Sequence, residues 1–295
     1  MQTLWPMHVS ALDATLGAVV TGVRLADLDD ATWLAIERAF HAHAVLVFPD
    51  QHLGSRDQKA FARRFGPLEE LLGPDGTVPI TNATKEGRIL DADNPVLDIL
   101  RGNEGWHTDS SYMPVSAKAS MLSAQLLSTQ GGTTEWADMR AAYDALDDET
   151  QTLVQGLAAH HSIVWSQRRI GARAHVGTFY GYAEDEPLRP LVKAHPATGR
   201  PSLFIGRHAH AIPGMTENDS IDLLDGLLDA ACQPPRVYEH HWTVGDLVVW
   251  DNRCVLHRGR PWPPDQVRLL RHTRVSGNPV TEAALAVERP APVRD

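Results

Sequence analysis

The stretch VGDLVVWDNRCVLHRGRPW (residues 244–262) predicts two short strands joined by a tight turn. A Gly-Asp pair at 245–246 opens the first apolar run, and Asp-Asn-Arg at 251–253 has the composition of a turn. The second apolar run carries His257 near its end. Short apolar runs bounded by such residues are typical of β-strands. We therefore expect a β-rich fold with a histidine near the end of one strand.

Similar short runs recur along the chain, without an internal repeat or a low-complexity linker. Runs with strand character lie at 45–48, 119–127, 159–165, 202–206, 246–250, 254–258 and 267–276. Short strands separated by turn residues favour a sandwich or a barrel. The sequence therefore predicts a mostly β fold.

Three segments have helical periodicity, and they lie at 28–44, 55–66 and 215–233. In the second of them, Ser55 and Gln58 form the pattern of a capping box. A few helices beside many short strands are typical of a β core that helices cover on one side. We expect these three helices to flank the strands.

Length and composition set the size and class of the protein. The chain has 295 residues, of which 43% are hydrophobic and 22% charged, as in ordinary soluble globular proteins. Single β-rich domains reach this length, so we predict one domain over 1–295. The segments 83–102 and 166–187 show no sustained period, and we expect mobile loops there.

Charge and cysteine content limit the class of binding partner and the cellular compartment. The formal net charge is −10, which argues against a nucleic-acid partner and favours a small ligand. Two cysteines, Cys232 and Cys254, are too few for a disulfide framework, so we expect a reduced cytoplasm. The N-terminal segment lacks a secretion pattern, and no later segment is long and apolar enough to enter a membrane.

A second stretch, GNEGWHTDSSYMPV (102–115), places His107 and Asp109 two positions apart. In an extended strand their side chains would project from the same face, about 6.6 Å apart along the chain. Two such groups can hold one ligand. A histidine that is hydrogen-bonded to its neighbouring carboxylate at a strand end explains the same spacing, so the spacing leaves both interpretations open.

His257 adds a third group to this pair if its strand lies beside the one that carries His107. Two histidines and one carboxylate on one face of a metal leave three coordination positions free. This arrangement is associated with non-haem Fe(II) oxygenases, so iron is the favoured metal.

Six segments, in the same order, resemble the taurine dioxygenase and 2,4-dichlorophenoxyacetate dioxygenase group of Fe(II)/2-oxoglutarate-dependent oxygenases. They lie at 17–30, 43–69, 106–115, 131–146, 195–215 and 245–262. The chain is most similar to aryloxyalkanoate dioxygenases that act on (S)-phenoxypropionate herbicides, through YMPV, PLVKAHPATGRPSL and IGRHAHAIPGM. The resemblance implies a double-stranded β-helix (jelly-roll) core with flanking helices. We also expect a homo-oligomer.

The resemblance assigns the metal ligands to His107, Asp109 and His257. It assigns the 2-oxoglutarate carboxylate to Thr134, in the turn GGTT, and to Arg268. A guanidinium fork binds a carboxylate through two hydrogen bonds, and a hydroxyl adds a third. The alternative interpretation of Arg268 is an arginine on a surface strand. Fe(II) is the implied cofactor, with 2-oxoglutarate and O2 as co-substrates.

The reaction that the resemblance implies is oxidation of a small anionic substrate. 2-Oxoglutarate is decarboxylated to succinate and CO2 while a carbon of the substrate is hydroxylated. Hydroxylation beside an ether oxygen gives a hemiketal that collapses, so an aryloxypropionate would yield a phenol and pyruvate. A sulfonate or an alkyl sulfate is the second choice of substrate.

At the substrate anion the sequence departs from the family pattern. Relatives that act on taurine or on (R)-substrates have an arginine four residues after the 2-oxoglutarate arginine, but His272 stands at that position. Another cation is therefore expected to contact the anion. The candidate substrate-binding residues are Arg207, Arg274, His272, Asn103 and Asn82.

Two alternative functions stay open at the level of sequence. His208 and His210, in the segment HAH, could bind zinc or copper. A non-catalytic metal-binding β-barrel would bind metal and ligand without consuming O2. Succinate formation that requires the right substrate distinguishes an oxygenase from both.

Overall fold

The computed structural model describes residues 6–69, 77–173 and 186–286. Part of the predicted loop 166–187 lies outside the described residues. The helices are α1 (Asp30–His43), α2 (Ser55–Phe65), α3 (Pro95–Gly102), α4 (Met139–Asp144), α5 (Asp148–Gln155), α6 (Ile163–Arg169), α7 (Glu217–Ala231) and α8 (Pro279–Glu282). Among the described residues, none of these helices is both long and apolar enough to cross a bilayer.

Short strands provide most of the remaining regular structure. They are β1 (His8–Ala11), β2 (Ala18–Thr21), β3 (Val45–Phe48), β4 (Val78–Thr81), β5 (Ala119–Leu126), β6 (Thr134–Asp138), β7 (Ala158–His161), β8 (Leu188–Pro190), β9 (Val192–Ala194), β10 (Pro201–Leu203), β11 (Ala209–His210), β12 (Val237–His240), β13 (Leu247–Asp251), β14 (Val255–Gly259) and β15 (Leu269–Val275). The mostly β character with flanking helices is as predicted.

Helices α1, α2 and α7 confirm the three predicted helical segments, but α2 begins differently. Gly54, and not Ser55, precedes its first turn, and no side chain caps it. Gln58 is buried, and its amide donates to Arg271 O and Thr273 Oγ1. The capping-box prediction is therefore wrong, because contacts with strand β15 hold the Gln58 side chain.

Two further segments differ from the sequence prediction. Part of the predicted loop 83–102 is helix α3, which Asn94 caps and which has Pro95 in its first turn. The predicted strand 159–165 ends after β7, because the side chain of Ser162 caps α6. In both places local capping residues start a helix where the apolar pattern is weak.

The major sheet has seven strands in the order β1-β2-β3-β13-β5-β15-β4. In its centre Ser120 lies opposite Trp250 on β13 and opposite Arg274 on β15. Leu122, two residues later, lies opposite His272. Because residues in register share a face and side chains alternate along a strand, these five side chains lie on the same face of the sheet.

That face packs against the minor sheet, which has the strand order β12-β6-β14. Apolar side chains of both sheets form one buried cluster between them, including Trp136, Trp250, Leu122 and Val255. The ring centroids of Trp136 and Trp250 are 5.6 Å apart. Two packed sheets whose strands are antiparallel, except for the parallel pair β2–β3, agree with the predicted jelly-roll core.

Helices α1 and α2 cover the other face of the major sheet. Trp33, Phe40, Phe61 and Phe65 from these helices form a buried cluster with Met121 and other strand residues. The central strands are therefore buried on both faces. This explains why runs such as β13 are continuously apolar instead of alternating.

Candidate metal centre and its pocket

Strand β14 and the segment before β5 bring the predicted ligands together. His107 N donates to His257 O at 3.0 Å, and His257 N donates to His107 O at 2.7 Å, which forms an isolated antiparallel bridge. One ligand atom each from His107, Asp109 and His257 lie within 4.8 Å of one another, and all three residues are buried. The three predicted ligands, although distant in sequence, therefore lie close together in the structure.

The local geometry of the pair differs from the prediction. His107 forms only the isolated bridge, and Asp109 already belongs to a turn that continues through Ser110, whose φ is 55°. A left-handed conformation is uncommon for a residue other than glycine. The same-face geometry of an extended strand therefore does not hold for 107–109, and the turn sets the direction of the Asp109 carboxylate.

Hydrogen bonding and burial leave His107 in a form that can bind a metal. Its Nδ1 lies 2.8 Å from Gly105 O, and because a carbonyl only accepts, Nδ1 carries the proton. The lone pair is therefore on Nε2. Burial lowers the pKa of His107 to about 4 and lowers the pKa of His257 well below its ordinary value, so both imidazoles are neutral near pH 7.

The Asp109 carboxylate is held in its ionised form by a buried cation. Its Oδ1 accepts from Arg274 Nη2 at 3.0 Å, and its Oδ2 accepts from Ser120 Oγ at 2.6 Å. Burial raises the pKa of Asp109, but the charge of Arg274 and the contributions of His272 and His257 together outweigh burial, and the pKa stays well below its ordinary value. His272 Nε2 lies 3.4 Å from Oδ2.

This donor set fits a divalent metal. Two neutral imidazoles and one carboxylate are the ligands of the two-histidine, one-carboxylate class, which keeps further coordination positions open. Within the described residues Nδ1 of His257 has no hydrogen-bond partner. The cluster is therefore a candidate metal site.

A second group, His195, Asp251 and Cys254, has similar spacing but does not fit a metal. Arg253 binds both carboxylate oxygens of Asp251. Nδ1 of His195 accepts from two backbone amides, so its Nε2 carries the proton that is donated to Asp251. Burial raises the pKa of the Cys254 thiol well above its ordinary value. This group is a buried ion-pair network.

The HAH alternative is not supported by the geometry. His208 is buried, and its Nδ1 is 2.8 Å from Ser166 Oγ. His210 stacks on Trp165 and lies 3.0 Å from a carboxylate oxygen of Glu186. Among the described residues these two histidines do not share a metal-like cluster.

One pocket contains the three candidate ligands and most of the other predicted residues. Its lining consists of Ile80, Asn103, His107, Asp109, Leu122, Thr134, Trp250, His257, Gly259, Arg268, Leu270, His272 and Arg274. Arg207 and Asn82 are absent from this lining. The structure thus places eight of the ten predicted site residues around one space.

Arg268 is buried beneath the turn that precedes Thr134. Its Nη2 donates to Gly132 O at 2.6 Å, and its guanidinium carbon lies 4.8 Å from the ring centroid of Trp262. Burial lowers its pKa to about 10, so it stays charged near neutral pH. Among the described residues Arg268 has no carboxylate partner, and its Nε has no hydrogen-bond partner.

Gly132 is required for this arrangement. Its φ is 69°, and a Cβ at this position would lie 2.7 Å from Nε of Arg268. A side chain here would therefore displace the guanidinium as well as strain the turn. The surface-strand interpretation of Arg268 is wrong, because only 3% of the residue is exposed.

The structure gives Arg207 and Asn82 different surroundings from those expected of substrate-binding residues. Arg207 donates to Gly102 O, Ser166 O and Gln167 Oε1, so its guanidinium joins α3 to α6. Asn82 Oδ1 accepts from the backbone N–H of Arg268 at 3.2 Å. We therefore no longer place Arg207 at the substrate anion, and we assign Asn82 to the support of Arg268.

Three residues beside the ligands were missed in the sequence. Ser120 and Asn252 contact the Asp109 segment through hydrogen bonds. Glu69 accepts from Ser110 Oγ and lies 3.8 Å from Arg274, and burial raises its pKa. Nothing in the sequence near Glu69 or Ser120 indicated a role, because their relation to Asp109 comes only from strand pairing and the turn.

The buried imidazoles predict that the metal-free protein loses stability in mild acid. Burial lowers the pKa of His107 to about 4 and those of His161 and His208 well below the ordinary value. Below about pH 6.5 these groups bind protons in the unfolded chain but not in the folded protein, so the free energy of unfolding falls as pH falls. We expect the urea midpoint to drop steadily from about pH 7 to about pH 5. A constant midpoint would show that these histidines are not buried in neutral form.

Comparisons with known proteins agree with this geometry. The family model described as "Taurine catabolism dioxygenase TauD, TfdA family" matches residues 8–274. An (S)-phenoxypropionate/alpha-ketoglutarate-dioxygenase of Sphingobium herbicidovorans is 52% identical over 285 residues, which cover 94% of this chain and 98% of that protein. A protein of the same name from Delftia acidovorans is 49% identical over 295 residues, with 97% and 100% covered.

A solved structure is similar over almost the whole chain. The crystal structure of AAD-2 in complex with Mn(II) and N-oxalylglycine has a TM-score of 0.86 and 36% identity, and the match covers 96% of this chain and 100% of that one. These likenesses confirm the predicted family, jelly-roll class, enzyme class and cofactor set. The chain belongs to the TauD, TfdA family of dioxygenases.

Proposed function

We propose that this protein is an Fe(II)- and 2-oxoglutarate-dependent dioxygenase that oxidises a small aryloxyalkanoate anion. One pocket combines the cluster of His107, Asp109 and His257 with Arg268, a buried cation that has no carboxylate partner among the described residues. This combination carries the proposal, because 2-oxoglutarate offers a metal-chelating end and a distal carboxylate. The two relatives that act on (S)-phenoxypropionate support the substrate class.

His107, Asp109 and His257 would hold the metal on one side of the pocket. Their neutral imidazoles and ionised carboxylate provide three donors without a proton to displace. When bound, Fe(II) supplies the activation of O2 that oxidises the substrate carbon while 2-oxoglutarate becomes succinate and CO2. The open side of the donor set leaves room for 2-oxoglutarate and O2.

Arg268 and Thr134 would bind the distal carboxylate of 2-oxoglutarate. Gly132 O and the Trp262 ring fix the guanidinium, while Nε remains without a partner in the described chain. Thr134 Oγ1 accepts from Trp242 Nε1 at 3.0 Å, so its own proton is available to an acceptor. N-oxalylglycine in the solved relative is an amide analogue of 2-oxoglutarate, which supports this use of the pocket.

Apolar walls would exclude water from the reacting atoms. Ile80, Leu122, Trp250 and Leu270 line the same pocket as the candidate ligands. In a low-dielectric space, charged hydrogen bonds orient a bound anion more strongly than in water. These residues would therefore hold one carbon of the substrate near the metal and protect the reaction from solvent.

Asn103 and His272 are the preferred contacts for the substrate anion. Both line the pocket, and no hydrogen bond of the Asn103 side chain is seen among the described residues. Arg274 also lines the pocket, but it already binds Asp109. We therefore propose that Arg274 attracts the substrate anion through its positive charge, without the direct contact expected from the sequence.

The product follows from the position of the hydroxylated carbon. Addition of oxygen to the carbon beside the ether oxygen forms a hemiketal. Its bond to the aryl oxygen then breaks, the hydroxyl proton passes to the aryl oxygen, and a phenol and an oxo acid leave. An aryloxypropionate would give pyruvate by this route.

A substrate panel tests the proposal. We expect the protein with Fe(II), O2 and 2-oxoglutarate to form one phenol per succinate from an (S)-aryloxypropionate. Its kcat/KM for that acid should exceed those for taurine and alkyl sulfates by about tenfold or more, which corresponds to about 1.4 kcal/mol. Succinate formation at the same low rate with and without every panel member would exclude a dioxygenase. A preference for taurine or an alkyl sulfate would show that the substrate is a sulfonate or a sulfate ester instead of an aryloxyalkanoate.

The proposal includes a cytoplasmic homo-oligomer. The two free cysteines, Cys232 and Cys254, support a reduced compartment. Light scattering coupled to size exclusion would measure the oligomeric state. A monomer over the concentration range used for activity would exclude a homo-oligomer as the active form.

A further inference from the structure

A directed chain of hydrogen bonds reaches the Asp109 carboxylate from the turn after β13. Asn252 Nδ2 donates to Ser120 Oγ at 2.8 Å, and Ser120 Oγ donates to Asp109 Oδ2 at 2.6 Å. All three residues are buried, with at most 3% of any one exposed. Ser120 lies in the middle of the major sheet and is the nearest donor to this oxygen.

The direction of this chain is fixed by a group that can only donate. Trp250 Nε1 donates to Asn252 Oδ1 at 3.0 Å. Since Oδ1 must face the indole, the amide NH2 must face Ser120. The serine hydroxyl therefore accepts from Asn252, and its own proton is left for Asp109.

Asn252 also fixes the backbone on which Asp109 stands. Its Oδ1 accepts from Asp109 N at 3.3 Å, and its backbone O accepts from Thr108 Oγ1 at 2.7 Å. These bonds replace the strand pairing that the chain loses after His107, because residues 109 and 110 form a turn. One asparagine thus controls both the position and the rotation of the carboxylate.

We propose that Ser120 and Asn252 are positioning residues that orient the Asp109 carboxylate for a divalent metal and thereby set the metal affinity. This inference rests on the proposed function, since it takes the cluster as a metal site. Arg274 holds Oδ1 from the other side, so Ser120 decides the orientation of Oδ2. Partners of metal ligands commonly change metal affinity by about 10- to 100-fold when removed.

Ser120→Ala should therefore raise the Kd for Mn(II) by about 10- to 100-fold in the metal-free protein. The matched control is Ser123→Ala, on the same strand. Ser123 is also buried and donates to Gln58 Oε1 at 2.6 Å, on the face of the sheet opposite to the candidate site. Ser123→Ala should lower the melting temperature by a similar amount and leave the Mn(II) Kd unchanged. Titration calorimetry measures the Kd, and thermal unfolding confirms that both variants fold.

Two further variants separate positioning from packing. Ser120→Thr keeps the hydroxyl and should retain Mn(II) affinity close to that of the wild type. Asn252→Asp removes the amide donor, so the serine proton would turn toward the new carboxylate and away from Asp109. This variant should weaken Mn(II) binding to a similar extent as Ser120→Ala.

The outcomes distinguish this inference from the proposed function. Wild-type protein that binds no Mn(II) would overturn the metal centre itself. Wild-type protein that binds Mn(II), together with an unchanged Kd in folded Ser120→Ala or Asn252→Asp, would overturn the positioning role alone. An equal loss of affinity in Ser120→Ala and Ser123→Ala would also overturn it, since general loosening of the strand would then explain the effect.

Discussion

Asp109→Ala should abolish succinate formation and lower the free energy of unfolding by about 3 kcal/mol. Asp109 is buried and binds Arg274 at 3.0 Å. Its removal takes from Arg274 its closer carboxylate, which is costly in a buried position. Urea unfolding and succinate assays on the same preparation measure both effects.

Asp109→Asn separates the chemistry from the packing. The amide keeps the size of the side chain and one acceptor but loses the charge, so it should fold better than Asp109→Ala and still form no succinate. Asp138→Ala is the matched control, because Asp138 is another buried aspartate with an arginine partner, Arg140, at 2.9 Å. It should lose stability but retain activity. Near wild-type succinate formation in folded Asp109→Asn would remove Asp109 from the ligand set.

Arg268→Gln should raise the apparent KM for 2-oxoglutarate by about 10- to 100-fold. Arg268 is buried and charged, and a hydrogen bond to a charged group contributes about 1.5–3 kcal/mol. Each 1.4 kcal/mol changes an equilibrium by about tenfold. Initial rates at varied 2-oxoglutarate, with the aryloxypropionate held at saturation, measure the change.

Arg271→Gln provides the control for this effect, since Arg271 lies on β15, three residues after Arg268. Arg271 is half-buried and donates to Leu53 O at 3.0 Å, outside the pocket. Its replacement should leave the 2-oxoglutarate KM unchanged. Equal KM values in wild-type protein and Arg268→Gln would mean that another group binds the distal carboxylate.

Features that depend on the hydrophobic pattern and on residue type were predicted well from the sequence. The apolar runs at 45–48 and 246–250 became strands of the major sheet, and His107, Asp109 and His257 meet as the family resemblance implied. Such predictions succeed because hydrophobic pattern and ligand type are properties of the residues themselves. The local backbone differs from an extended strand, since His107 forms a bridge and Asp109 lies in a turn.

Contacts between segments distant in sequence were predicted poorly. Gln58 matched a capping box but binds Arg271 and Thr273 across the fold. Arg207 and Arg274 were both expected to be available to a substrate anion, yet Arg207 is held by three acceptors and Arg274 by Asp109. A sequence shows that a guanidinium is present but not which acceptor already binds it.

The sequence by itself therefore determined the β-rich class, the flanking helices and the identity of eight of the residues around the pocket. Only the tertiary structure decided which of these residues contact one another. Pairing of β5 with β13 and β15 puts Ser120 beside Trp250 and Arg274. Strand register is a property of the whole sheet, since a shift of one residue would move Ser120 to the opposite face. Asp109 has its charge and orientation from these distant partners, which no local pattern around residue 109 encodes.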